Sequence, residues 1–283
     1  VAKEDNGRLA VRKMYKLFIN GAFVRSESGR SDALWDGNDF GANIARGSRK
    51  DVRDAVVAAR AAQNKWASTP PGTRGLVLYR LAEMMEGRRA EFEALLEDRA
   101  EVDAAIDRVV WYAGWCDKFV ALLSNRNPVG GPHFNFSTAE PTGVVGILAP
   151  DSPSLMGLVS VLLPPLVAGN TAVLVASEKD PRTAIVFAEA LATSDIPAGV
   201  VNIITGFRSE LGPVLAKHMD VNALAFVDSA QTEELQRFAA ENVKRTRVLA
   251  QRSDKAWFDS SAQSLDEIAA YSEIKTIWHP AGI

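Results

Sequence analysis

Cysteine is nearly absent from this chain. The one residue, Cys116, excludes an internal disulfide and any cysteine-cluster zinc site, and it suits a reducing cytosol. Histidine is scarce as well. His133, His218 and His279 lie far apart without ligand spacing, so no metal centre is expected. Positive charge is not in excess: 32 Lys and Arg stand against 35 Asp and Glu over 283 residues, a net charge of −3, which gives no general pull toward nucleic acid. The brief basic run VKRTR (243–247) reads as a solvated helix end that complements the helix dipole. Long apolar runs are missing. The longest, Leu155 to Ala168, is shorter than the roughly 20 residues of a membrane span, and Ser160, Pro164 and Pro165 interrupt it. No signal peptide is expected, and the expected location is cytoplasmic.

What is there is periodicity of two kinds. After a polar opening, 1–14, that reads as a linker or tail, YKLFINGAFV (15–24) places two short strands around Asn20-Gly21, a strong hairpin signal. Residues 49–67 are helical, with apolar positions at 52, 56, 59 and 66. A second helix puts Leu76, Tyr79, Leu81, Met84 and Met85 near one side, and a third runs from about Glu101 to Ser124. The stretch 127–143, with three Pro and three Gly around Phe134 and Phe136, breaks the helical pattern and reads as an extended arm with both rings on one strand face. From Gly143 strands and helices alternate: GVVGILAP, NTAVLVA, VVNIITG, ALAFV and RVLAQ, with helices between them. Near-continuous apolar strands predict a sheet covered on both faces, hence a doubly wound parallel sheet. The chain closes on a lone strand signal, AYSEIKTIW, with Pro280 and Gly282 behind it.

The segments FINGAFV, WYAGWCDKFV, EPTGVVGILAP, LVAGNTAVLVASE, IPAGVVNIITGF and VNALAFV resemble, in order, the cofactor-binding half of the aldehyde dehydrogenase superfamily, from about Lys16 to Val227. Within it the chain looks most like the second, degenerate module of the two-module family-16 aldehyde dehydrogenases. The resemblance implies a Rossmann-like α/β core (143–259), an N-terminal hairpin and helices (15–126), and a protruding antiparallel oligomerisation arm built from 127–142 and the terminal strand within 260–283. In the superfamily a whole catalytic domain lies before that last strand; here only about Arg252 to Glu267 does.

Each chemical part that the resemblance implies can be checked against its position. The nucleophilic cysteine belongs to the missing domain, and Cys116 reads as an inert thiol in an amphipathic helical stretch. The general-base glutamate position holds Ala250, followed by Gln251 and Arg252, and a methyl group cannot accept a proton. In the oxyanion loop the chain reads Pro150-Asp151-Ser152-Pro153, one residue shorter than the family, with Ser152 the nearest match. Of the two ribose partners, the lysine position is Val175 and the glutamate is kept as Glu178. The glycine-bearing turn maps onto VDSAQTEE, where Asp228 and Glu233 replace the glycines and Ser229 is kept; Asp228 and Ser229 read locally as helix caps. No catalytic, cofactor-binding or metal residue, and no cofactor, is therefore expected here; NAD would belong to an active module.

The expected function is structural: a pseudo-dehydrogenase module that supplies its β arm to an active NAD-dependent aldehyde dehydrogenase domain, in cis or in trans, with homodimerisation open. Phe134, Phe136, Tyr271, Ile274, Ile277 and Trp278 are the expected interface. The alternative is a binding module that uses the retained crevice for a nucleotide or another small ligand. Ser152 as an unrecognised nucleophile is a third, with no acid–base partner of evident triad geometry.

Overall fold

The computed structural model describes residues 11–37 and 39–281, so most of the linker reading for 1–14, like Gly282, lies outside the described residues. In chain order the elements are β1 (Met14–Tyr15), β2 (Leu17–Ile19), β3 (Ala22–Val24), β4 (Ser31–Asp36), β5 (Asp39–Ala45), α1 (Arg49–Ser68), α2 (Pro71–Gly87), α3 (Arg89–Leu96), α4 (Arg99–Ala113) and α5 (Phe119–Leu123). Then follow β6 (Asn125–Asn127), β7 (His133–Pro141), β8 (Val144–Leu148), α6 (Ser154–Val167), β9 (Thr171–Val175), α7 (Arg182–Leu191), β10 (Val201–Ile204) and α8 (Arg208–Lys217). The chain ends with β11 (Ala223–Val227), α9 (Thr232–Ala239), β12 (Arg245–Leu249), α10 (Asp254–Phe258), α11 (Leu265–Ala269) and β13 (Ser272–Pro280).

Seven strands form the central sheet in the order β12-β11-β8-β9-β10-β2-β3. Its first five are mutually parallel, and β2 joins β10 antiparallel. Strand periodicity divides the core. Val145, Ile147, Ala172 and Leu174 face the layer of α2, α4, α6 and α7. Their neighbours Val144, Leu148, Val173 and Val175 face α1, α8 and α9. Both faces are dry, which is why these strands read as continuous apolar runs. The β2–β3 hairpin turns at Asn20 (φ 53) and Gly21 (φ 75), both left-handed as a two-residue turn of this kind requires.

A second sheet stands apart. It has three strands in the order β13-β7-β6, with β13 paired antiparallel to β7 from Ser272↔Pro141 to Pro280↔His133. The antiparallel flap expected from the sequence is thus present. It begins at Asn125, two residues before the expected arm, and its last strand, Ser272–Pro280, lies within the expected 260–283.

Three expectations are corrected. In α2 the buried positions are Arg74, Leu78, Leu81, Ala82 and Met85, whereas Leu76 and Tyr79 are exposed. The third helix is broken: α4 stops at its C-cap Gly114 and α5 starts at Phe119, so Cys116 lies in a turn. The basic run 243–247 is a helix end only at Val243 and Lys244, whose amides bond the Ala240 and Ala239 carbonyls after α9. Arg245 and Arg247 belong to β12, and the buried Lys244 donates to the carbonyls of Ala216 (2.5 Å) and His218 (3.1 Å), capping a different helix, α8.

Candidate ligand crevice

The strand order reverses between β8 and β11, so the crevice at the carboxyl ends of the sheet opens there. Its walls are the turns after β8, β9, β10, β11 and β12. Two charged residues dominate it. Asp151 follows β8, and Arg208 opens α8 after β10. The Arg208 guanidinium reaches back over the end of β9, bonding Asp151 Oδ2 at 3.0 Å and Oδ1 at 2.7 Å through two nitrogens and also the Ala149 carbonyl. Asp151 Oδ1 further accepts from Ser177 Oγ (2.9 Å) and from the amides of Glu178 (2.9 Å) and Lys179 (3.4 Å). Burial pushes this carboxyl up, but the Arg208 charge, the Ser177 hydroxyl and the two amides outweigh it and hold it below the usual carboxylate range. Glu178, which the resemblance aligns with the family's ribose-binding glutamate, is committed as well: its Oε1 accepts the Arg208 backbone N–H.

The other family positions are as follows. Val175 is fully buried and packs into the core on the α1 side. Asp228 and Ser229 do not cap α9, which starts at Thr232. Asp228 Oδ1 accepts from Thr232 Oγ1 at 2.6 Å and Ser229 Oγ accepts from the Gln231 amide at 3.3 Å, so they shape the preceding turn. Ala250 follows the end of β12 and is exposed. Ser152 donates to Asp254 Oδ2 at 2.9 Å. Cys116 is buried, which pushes its thiol up to about 11 and leaves it protonated near neutral pH. His133 lies edge-on to Trp278 at 5.9 Å, His218 accepts from the Asp220 amide, and His279 is on β13. Among the described residues no three His, Cys, Asp or Glu side chains gather as metal ligands, and no helix is long and apolar enough to cross a membrane.

The short connection from β12 to β13 is folded and anchored. Arg108 on α4, 3% exposed, donates to the carbonyls of Trp257 (3.0 Å), Asp259 (3.2 Å) and Ala262 (3.3 Å) and to Ser160 Oγ (2.9 Å). Trp257 and Ala262 are buried beneath it. Glu101, also buried, accepts the first amides of α6, from Leu155 (2.7 Å) and Met156 (3.0 Å), where Pro153 offers no side-chain cap. Burial raises its pKa despite those two donors. Sequence reasoning missed Arg108, Asp151 and Arg208 as structural centres. Each meets partners far along the chain, and the only local signal was an acid and an arginine in two strand-to-helix turns.

The expected interface residues separate into two faces and one core position. Phe134, Phe136 and Ile277 share a face, the two rings 5.4 Å apart with Arg126 over Phe134. Ile274 and Trp278 point from the opposite face and are 56% and 61% exposed. Tyr271 is not on the arm surface. It is 2% exposed in the main core, and its carbonyl accepts from the Thr142 amide and Asn170 Nδ2. Beyond β13 no strand pairs with the outer edge among the described residues.

Comparison with known proteins agrees with this architecture. The model of the aldehyde dehydrogenase family matches residues 36–256. A cytosolic 10-formyltetrahydrofolate dehydrogenase of Xenopus laevis is 34% identical over 262 residues, which cover 87% of this chain and 29% of that protein. A mitochondrial benzaldehyde dehydrogenase of Antirrhinum majus is 33% identical over 234 residues, 78% of this chain and 43% of that protein. Among solved structures, the NAD+ complex of an aldehyde dehydrogenase from Bacillus cereus superposes with a TM-score of 0.79 at 28% identity, covering 84% of this chain and 51% of that one. The chain thus spans about half or less of the length of these relatives. By sequence and by fold, this chain belongs to the aldehyde dehydrogenase family.

Proposed function

We infer that this chain is a non-catalytic module of the family, most like the degenerate second module of a family-16 aldehyde dehydrogenase. Its work is to lend the β13-β7-β6 arm to an active NAD-dependent aldehyde dehydrogenase domain, carried in the same polypeptide or on another chain. The observation that carries the reading is the arm itself. This three-stranded sheet keeps a nine-residue outer strand with an open edge and with Ile274 and Trp278 exposed beside it. Among the described residues no further sheet follows β12 to receive such an arm: residues 250–271 hold only short helical turns, anchored by Arg108.

The family's cofactor fits this crevice poorly. Glu178 is engaged by the Arg208 amide, Asp151 and Arg208 span the strand ends, and Asp228 puts a carboxylate in the turn where a phosphate would need a bare backbone. The reading therefore assigns no NAD to this chain, and Ala250 and the protonated Cys116 supply neither base nor nucleophile. The Asp151–Arg208 ion pair across the strand ends also weighs against a general nucleotide-binding module.

Two measurements test the reading. The chain incubated with NAD and aliphatic or aromatic aldehydes is expected to form no NADH; turnover above the protein-free control refutes the non-catalytic part. In a protein or complex carrying both this module and an active one, Ile274→Lys with Trp278→Asp is expected to weaken assembly and lower aldehyde oxidation. Unchanged assembly and activity refute the arm's role.

A further inference from the structure

The geometry points to an anion site in the crevice that the chain fills with its own carboxylate. Ser177 Oγ, the amides of Glu178 and Lys179, and two nitrogens of the Arg208 guanidinium converge on Asp151. Convergent backbone amides in a strand-to-helix turn, backed by a guanidinium, are donors of the kind that hold phosphates and carboxylates. Here the bound anion is internal, delivered by the turn after β8. The Arg208 Nε is buried and has no hydrogen-bond partner among the described residues. Four of the donors crowd onto the single oxygen Oδ1 of Asp151, whereas a phosphate monoester spreads the same donors over three terminal oxygens. Asp151 is only half-buried, so its place is reachable from solvent. The site accordingly takes a phosphate monoester once the Asp151 carboxylate is removed, and Asp151 keeps such anions out of the intact chain. At the end of β8, it acts as a specificity-determining residue of the crevice.

This inference rests on the reading that the intact crevice holds no dinucleotide, and the two can fail separately. The test is chemical rescue, read as thermal unfolding in inorganic phosphate and in adenosine monophosphate, against sodium chloride of equal ionic strength. The intact chain is expected to show no phosphate-specific shift. Asp151→Ala is expected to melt lower and to recover by about 2–4 °C at saturating phosphate. The double variant Asp151→Ala with Arg208→Ala is expected to lose that recovery. If Asp151→Ala does not fold, Asp151→Ser carries the same comparison, since its hydroxyl brings no charge. Absence of rescue, rescue that survives loss of Arg208, or an equal shift in the intact chain overturns the inference. Recovery with adenosine monophosphate as well as inorganic phosphate shows that the site accepts an esterified phosphate; recovery with inorganic phosphate alone overturns the monoester assignment. Tight NAD binding by the intact chain would instead overturn the reading on which it rests.

Discussion

Arg108 shows how one side chain holds a short connection in place. A guanidinium 3% exposed, with no carboxylate in contact among the described residues, is tolerable only because carbonyls from Trp257, Asp259 and Ala262 turn toward it. Those carbonyls belong to the segment between β12 and β13, so that connection and the buried cation depend on each other. Arg108→Met keeps the volume and removes every donor, stranding those carbonyls. The expected cost is about 2–4 kcal/mol in urea unfolding, with faster protease cleavage within 252–264. A loss below about 0.5 kcal/mol would show that the segment is held by Trp257 packing alone. Asp151 gives a pH signature at the same scale. Its folded pKa lies below the usual value near ~3.9, so its contribution to stability is complete above that value and is lost as pH falls through the folded pKa. Asp151→Asn should lower stability at neutral pH and flatten the acid limb of the stability–pH curve. Parallel curves for the two proteins would mean that the carboxylate adds nothing to the folded state.

At the scale of elements, strand β8 depends on its first turn. Gly143 has φ +133, and a Cβ there would meet Asn222 Oδ1 at 2.3 Å. That oxygen accepts from the Val144 amide (3.0 Å) and from Arg60 Nη2 (2.5 Å), so a side chain would break the seam between β8 and the start of β11 as well as strain the backbone. Gly143→Ala is expected to cost about 2–3 kcal/mol in urea unfolding; a neutral substitution would mean that Asn222 swings away freely. Elements were legible in the sequence where burial is two-sided or a turn is chemically fixed. The apolar strands from Val144 onward and the Asn20-Gly21 hairpin are of this type. They were illegible where tertiary contact decides. In α2 two stripes compete at helical spacing, Leu76 and Tyr79 against Leu78, Leu81 and Met85. Packing on α4 selects the second, while Arg74 on that side donates to carbonyls at the end of α1. The hairpin β4–β5 was missed because SDALWD and DFGANIA carry few β-branched residues. The crevice was half legible. The positions that the resemblance assigns to the crevice could be located one by one, but the long-range meeting of Asp151 with Arg208 leaves no local pattern.

For the whole molecule, the division is between a sheet dry on both faces and an arm joined to it by few bonds. The Tyr271 carbonyl, held by Thr142 and Asn170, is where β13 leaves the core. The seven-stranded sheet should unfold only with the global transition, whereas the arm has one long pairing, an exposed outer edge and a polar ladder of Asn127, Asn135, Ser137 and Thr276 on one face. Hydrogen exchange on the isolated chain is therefore expected to be slowest for amides of β8 and β9. In β13 it should alternate: amides directed at β7 protected to an intermediate degree, outward amides unprotected. Docked on a catalytic module, the outward amides alone should slow, by about tenfold or more, because only they gain acceptors from an added strand. If both sets slow equally, the arm is being rigidified through a face rather than extended at its edge, and the contact would run through Trp278 and Ile274 or through Phe134 and Phe136. If neither set changes while the module still binds, the arm is not the contact, and the exposed side chains of β13 serve something other than assembly.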